Sequence, residues 1–317
     1  MIPTQHTVDT PYMVGPVHCY TVELDGDLVL FDTGPPTERA QEFLQKEISL
    51  DRLKHVIVTH CHLDHYGQSS WLEKNTEATV YLPFRDVLKI QQRDERMESL
   101  YQLLTEMGFD EHYLDDLRAS FYRGVLFPPL PDNFRIAESD IPERLGVEVL
   151  GCAGHSQSDL VYATSEWAIT GDTLLKGIFQ SPLLDVDLEQ GGRFNNYQAY
   201  CQSIIKLCSL QDRTILPGHR KKVENVDDII LFYISKTLVR ANQIRPYITK
   251  YSIAEIINKL FGNSMTDPFH VYLKASEIMF LKDFLYDSDR LKSSLETIKL
   301  FAQVSDLFHK ALGGTDA

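Results

Sequence analysis

The sequence predicts an α/β unit over residues 1–222 followed by an all-helical domain over residues 223–317. Two patterns carry that reading. Up to about residue 222, short apolar runs of strand length alternate with helix-length segments, which is the signature of a mixed α/β fold. From about Val223 onward helical periodicity continues nearly to the C-terminus with little strand signal. The 317 residues agree with two units, since ~150 residues is an ordinary domain. A chain of this length buries a core without disulfide staples.

Each element has its own reason. Cys19–Leu24 and Leu28–Asp32 flank an Asp25-Gly26-Asp27 turn and read as a hairpin. Thr37–Glu47 reads as a helix, and Val56-Ile57-Val58 marks His55–Thr59 as a buried strand. Ser69–Lys74 reads as a helix and Thr79–Leu82 as a strand. Within an insert spanning about 85–134, Val87–Met107 and Glu111–Tyr122 read as amphipathic helices, and Leu126–Pro131 breaks the pattern with three prolines. Val147–Leu150, Leu160–Ala163 and Trp167–Thr170 read as strands. Tyr197–Leu210 reads as a helix and Thr214–Leu216 as a last short strand. In the tail, the stretches Glu224–Pro246, Ser252–Gly262 and Asp267–Leu285 read as helices. Ser252-Ile253-Ala254-Glu255 is a capping box, Gly262 ends that helix, and Asp267-Pro268 starts the next.

Charge and cysteine usage narrow the function classes. With 31 basic and 45 acidic side chains the formal charge is -14, and the densest basic cluster is Arg220, Lys221 and Lys222. Nucleic-acid binding needs clustered cations on phosphates, so a polyanionic partner is disfavoured and a small-molecule substrate is expected. No run reaches the roughly 18 apolar residues of a membrane span. The N-terminal residues show no basic-then-apolar leader pattern, and Cys19, Cys61, Cys152, Cys201 and Cys208 form no C-x-x-C pair. These features point to reduced thiols in a cytoplasm. The apolar helical tail is compatible with a homodimer.

The densest chemistry lies in Thr59-His60-Cys61-His62-Leu63-Asp64-His65, directly after the buried strand and before a helix. Crowded imidazoles and a carboxylate cost desolvation and mutual repulsion unless a cation offsets them. A divalent metal does so, because neutral imidazole and carboxylate are among its preferred ligands. On an irregular turn, residues two apart can converge while Asp64 and His65 face another way, so one motif could feed two adjacent metal positions. Gly154-His155-Ser156, Gly171-Asp172-Thr173 and Pro217-Gly218-His219 each place a further ligand type just past a strand and next to glycine. Singly each is weak, because a Gly-Asp pair is usually a turn. Cys61 sits between two ligand histidines and is expected to point away. Cys201 and Cys208, seven apart on a helix, are expected to pack.

In this order, His60, His62, Asp64, His65, His155, Asp172 and His219 resemble the metallo-β-lactamase superfamily, whose pattern is H-x-H-x-D-H followed by His, Asp and His at strand ends. Phe31-Asp32-Thr33-Gly34 is similar to the family's first motif, and the resemblance covers most of residues 17–222. It implies an αββα sandwich with two divalent metal ions at one edge, zinc first, with iron or manganese also accommodated. By resemblance, His60, His62 and His155 take the first ion, Asp64, His65 and His219 take the second, and Asp172 bridges them. Asp64 and Asp172 are thereby the catalytic carboxylates, and Asp32 orients the ligand loop without ligating.

The activity implied is a metal-dependent hydrolase in which a metal-bridging hydroxide attacks a small ester, thioester or lactone. A phosphodiesterase or nuclease with the same ions is the alternative, followed by a ligand-binding effector that retains the site and, fourth, an iron dioxygenase of persulfides. The tail resembles in arrangement the helical domains of glyoxalase II-like and winged-helix-tailed hydrolases, but no basic cluster for glutathione is recognisable. The insert and the stretch Leu174–Asn196 are expected to cover the site. Phe121, Tyr122, Phe179, Leu183, Leu184 and Phe194 either line an apolar pocket or form core between the two units, and large aromatics usually do the latter.

Overall fold

The computed structural model describes residues 1–122, 128–262 and 265–314. Its first sheet has six strands in sequence order: β1 (Thr4–Val8), β2 (Val17–Leu24), β3 (Asp27–Phe31), β4 (Leu53–Ile57), β5 (Thr79–Leu82) and β6 (Phe134–Ile136). The first three pair antiparallel and the rest parallel. A second sheet holds four strands, β7 (Glu148–Gly151), β8 (Leu160–Ala163), β9 (Trp167–Gly171) and β10 (Thr214–Pro217), in the order β10-β9-β8-β7. The β2–β3 hairpin turns on Asp25 and Gly26, both with positive φ, the two-residue geometry that matches strand twist.

Period-two alternation builds the layers. Tyr20, Val22, Val29, Phe31, Ile57 and Tyr81 of the first sheet meet Tyr162, Trp167, Ile169 and Leu216 of the second in one buried cluster. The intervening residues Cys19, Leu30, Val56 and Val80 point the other way, onto α1 (Glu38–Glu47) and α3 (Ser69–Asn75). On the far side, Val161, Ala163, Ala168 and Ile215 pack on α8 (Asn196–Cys208) and on helices of the C-terminal region. Helix, sheet, sheet, helix is the αββα order that the family resemblance implied.

The short helix α2 (Leu63–Tyr66) sits inside the His-rich motif. The expected single helix Val87–Met107 is instead two, α4 (Phe84–Gln91) and α5 (Arg93–Glu106), because Gln92 leaves helical geometry at φ -101 and ψ 33. Helix α6 (Glu111–Tyr122) follows; Leu126, in the proline-rich break, and the side chain of Tyr122 lie outside what is described. A single turn, α7 (Ala137–Asp140), follows β6.

Beyond β10 the elements are α9 (Val226–Ile244), α10 (Ile253–Phe261), α11 (Pro268–Tyr286), α12 (Ser288–Thr297) and α13 (Ser305–Ala311). The Ser252/Glu255 capping box forms with both bonds, and Pro268 opens α11 behind the Asp267 cap. These helices share one continuous core with α5, α6, α8 and the second sheet. Phe179 stacks on Tyr233 of α9 at 4.5 Å under the Arg240 guanidinium, and Phe121 packs edge-on against Phe269 and Tyr272 of α11. Leu184 is buried in the same cluster, so these residues are core between body and tail. Phe194 lies under the Arg85 guanidinium.

Candidate metal centre

The seven sequence-predicted ligands converge at one edge of the sandwich, on loops that leave β4, β7, β9 and β10. Three groups have donor atoms within 4.8 Å of one another: His60, His62 and His155; Asp64, His65 and His219; and His60, His65 and Asp172. His60, His65 and His219 are at most 1% exposed, and Asp64 and Asp172 are 8% exposed. Such burial of five polar groups demands partners.

The outward-facing nitrogens have them. His65 Nδ1 donates to Asp32 Oδ2 at 2.8 Å, His155 Nδ1 to the Ser181 carbonyl at 2.7 Å and His219 Nδ1 to the Pro16 carbonyl at 2.8 Å. His60 Nδ1 donates to Thr59 Oγ1 at 3.1 Å, whose own proton goes to Asp32 Oδ2. An acceptor on Nδ1 keeps the proton there and leaves the Nε2 lone pair pointing inward, as metal-ligating histidines require.

The inward-facing atoms lack partners of that kind. His60 Nε2 and His155 Nε2 lie 2.9 and 3.2 Å from His62 Nδ1, so three imidazole nitrogens face one point with at most one proton among them. His65 Nε2, His219 Nε2 and Asp172 Oδ1 are buried without a hydrogen bond. Asp172 Oδ1 lies 3.4 Å from His65 Nε2 and 3.6 Å from His219 Nε2, while its Oδ2 faces His155 Nε2 at 3.9 Å. Asp64 Oδ2 is 3.2 Å from His219 Nε2. One carboxylate thus turns an oxygen toward each of two cradles. Two buried clusters of opposed lone pairs are what a pair of divalent cations would satisfy, so the residues fit the implied metals.

The electrostatics around His60 and His62 agree, while the carboxylates around His65 favour its protonated form, whose proton a metal in that cradle would have to displace. Burial, reinforced by His155 and Lys89, pushes the His62 imidazole down to about 3, and burial with His65 and His62 pushes His60 well below its usual range. Both imidazoles are therefore held neutral, the form a metal takes. Burial resists charging of His65, but Asp32, Asp172 and Asp64 overcome it and raise that imidazole well above its ordinary value. Burial likewise resists ionisation of Asp172, and His65 and His219 override it, holding the carboxyl well below the usual range.

Two glycines make room. A Cβ on Gly218 would stand 2.6 Å from His65 Cε1 and 2.9 Å from Asp172 Oδ1. Gly171, at φ +47, lies against Thr59, where a Cβ would meet Oγ1 at 2.7 Å.

A family model for the metallo-beta-lactamase superfamily matches residues 12–219. The chain belongs to that superfamily. A protein of Bacillus subtilis (strain 168) named "Probable metallo-hydrolase YqjP" is 27% identical over 249 residues, 75% of this chain and 77% of its own. Among solved structures, a metallo-beta-lactamase family protein from Thermus thermophilus superposes with a TM-score of 0.70 at 19% identity, covering 90% of this chain and 94% of that one. A beta-lactamase domain protein from Burkholderia ambifaria gives 0.71 at 20% identity over 90% and 86%. The uncovered tenth is much shorter than the stretch after Asn225, so the shared fold reaches into the helical tail. Among the described residues no helix is long and apolar enough to cross a membrane.

The family resemblance placed Asp32 beside the His-rich loop, and the structure puts it there. Its two oxygens take the Thr59 N–H at 2.8 Å, the Thr59 hydroxyl and His65 Nδ1, from a backbone at φ 57. Cys61 turns away from the ligand cluster toward Asp86, which accepts the Cys61 N–H at 2.6 Å. Cys201 packs in the core as expected, and Cys208 against its rim. Sequence reading missed Asp159, which accepts the Ser156 N–H at 2.8 Å and the Ser156 hydroxyl at 2.9 Å and so shapes the His155 loop.

Proposed function

We propose that this superfamily member is a dinuclear metal-dependent hydrolase of a small ester, thioester or lactone. The observation that carries the reading is the pair of inward-facing donor clusters sharing Asp172. His60, His62 and His155 would hold one ion, Asp64, His65 and His219 the other, and Asp172 would contribute to both, with zinc the first choice for nitrogen and oxygen donors. Divalent ions there supply Lewis acidity and an ionised water at neutral pH.

The chain's own part is positional. Asp32, Thr59, Ser181 and Pro16 hold four imidazoles in one tautomer, and the burial of His60, His65 and His219 keeps bulk water from competing for their lone pairs. The substrate we expect is a small molecule, because the cavity beside His62 is narrow. All five cysteines are unpaired, the state a reducing compartment keeps, which supports a cytoplasmic setting.

Metal analysis of the purified protein should give about two divalent ions per chain. Chelation should abolish turnover of carbonyl esters, thioesters or lactones, and metal should restore it. Turnover confined to bis-nitrophenyl phosphate would replace this reading with a phosphodiesterase, and a protein that takes up no metal would end both.

A further inference from the structure

A cavity opens beside the first cradle, sharing His62 with it. Besides the loops that carry His62 and His155, its walls come from Lys89 and Ile90 of α4, Arg96 of α5, Leu183 and Asp185 of the long connection before α8, and Tyr272 of α11. The centres of water molecules can occupy about 60 Å³ of it. That is well above the roughly 10–15 Å³ needed to hold one water, so the cavity has room for a short chain of a few heavy atoms.

The charges in this wall are buried and balanced. Asp86 is 1% exposed, Asp185 5% and Lys89 8%, and the Arg96 side chain is 12% exposed. Two cations face two carboxylates. Each carboxylate is also held by other donors: Asp86 by the Cys61 N–H at 2.6 Å, and Asp185 by Arg96 Nε at 2.8 Å and Gln157 Nε2 at 3.1 Å. Lys89 differs. Its ammonium lies 2.6 Å from Asp86 Oδ1, and its other anionic neighbour, Asp185 Oδ2, is 3.9 Å away, beyond hydrogen-bond reach. An ammonium carries three donors, and among the described residues only the Asp86 carboxylate is close enough to take one of them. Buried donors want acceptors, and a cavity of zero net formal charge favours a neutral one.

We infer that this cavity receives the acyl part of the substrate and selects one bearing a neutral oxygen acceptor, a hydroxyl or carbonyl, that meets Lys89. The inference rests on the hydrolase reading only for which part of the substrate enters. Lys89 is a specificity residue on α4, and Tyr272 makes the C-terminal helices part of the same wall. Its hydroxyl donates to the Leu184 carbonyl at 2.5 Å and so fixes the connection that carries Leu183 and Asp185.

The test is calorimetric titration of the metal-replete protein with butyrate and with 4-hydroxybutyrate, product-like acids that differ by one hydroxyl. The wild type should bind 4-hydroxybutyrate at least tenfold more tightly, and Lys89→Met should bring the two within about threefold. Ile90→Phe keeps every charge and narrows the cavity, so it should weaken 4-hydroxybutyrate at least tenfold relative to acetate even if Lys89→Met fails to fold. Equal affinities in the wild type, or a preference that survives Lys89→Met, would overturn the inference. A clear preference with no turnover of any ester, thioester or lactone would count against the hydrolase and leave the acceptor site standing.

Discussion

Replacing Asp32 by Asn changes one atom in the support of His65 and leaves its backbone tolerable, since Asn adopts left-handed φ readily and Asp32 sits at φ 57. If the Asn oxygen keeps the Thr59 N–H, the new amide nitrogen faces the Thr59 hydroxyl and His65 Nδ1, both of which now donate to Oδ2 at 2.9 and 2.8 Å. The hydroxyl can rotate and accept. The imidazole must either leave a buried N–H unpaired, at about 1–3 kcal/mol, or move its proton to Nε2. The second choice removes the lone pair that faces Asp172 and lies beside His219. Changes of this kind behind a ligand typically lower metal affinity about 10–100-fold, or about 1.4–2.7 kcal/mol. Because His62 and His155 do not touch Asp32 and His60 meets it only through the Thr59 hydroxyl, the larger loss should fall on the Asp64/His65/His219 cradle. Competitive chelator titration of metal-stripped protein should therefore show one site weakened more than the other. Affinities unchanged within twofold at both sites, or an equal loss at both, would refute the argument.

Three further outcomes follow from other positions. Gly218→Ala should lower metal affinity at least tenfold with an unchanged circular dichroism spectrum, because its Cβ falls 2.6 Å from His65 Cε1; Gly146→Ala, at positive φ but with nothing within 4 Å, should cost about 1–2 kcal/mol of stability and no metal. Burial pushes the Asp159 carboxyl up to about 6 from 3.8, so the folded state holds that proton more tightly than the unfolded chain. The Asp159 contribution to stability therefore falls as pH rises from about 3.8 to about 6, and Asp159→Asn should remove up to about 3 kcal/mol of that contribution, read as the change in the wild-type-minus-variant difference between urea curves of metal-free protein at pH 4 and pH 8. Phe179→Ala should destabilise by about 2–4 kcal/mol while unfolding stays a single transition, since body and tail share one core; a separate early transition of the tail would contradict this.

The clustering of the candidate ligands was legible because three imidazoles and a carboxylate at 60–65 have no bland reading: packing alone does not satisfy them, whereas a metal would. The layers were legible wherever both sheet faces are covered, as in Val56, Ile57 and Val58, which are buried to opposite sides. Strand β1 was not, because Val8 alone of Thr4–Val8 is buried and no alternation shows. The break at Gln92 carries neither glycine nor proline to announce it. Ser181 and Pro16 fix ligand histidines through their carbonyls, which every residue owns, so no sequence signal could have found them. Asp159 could have been suspected as a carboxylate three residues after Ser156, a spacing that suits a local turn.

The same distinction explains why chemistry was easier to read than specificity. Metal ligands declare themselves by residue type, and their support is local or comes from an adjacent motif. The cavity wall instead joins Lys89 of the insert, Asp185 of a long connection and Tyr272 of the tail, each of which alone reads as an ordinary solvated charge or core aromatic. Only their juxtaposition sets the Lys89 ammonium in one wall with His62, with Asp86 as its single carboxylate within hydrogen-bond reach among the described residues. The helical tail therefore does more than extend the core. By holding Leu184 through Tyr272 and Ser276 it sets the distance between the insert and the connection, and so the width of the space beside the first cradle. Substitutions in this wall would therefore change which substrate fits while leaving the seven clustered side chains in place.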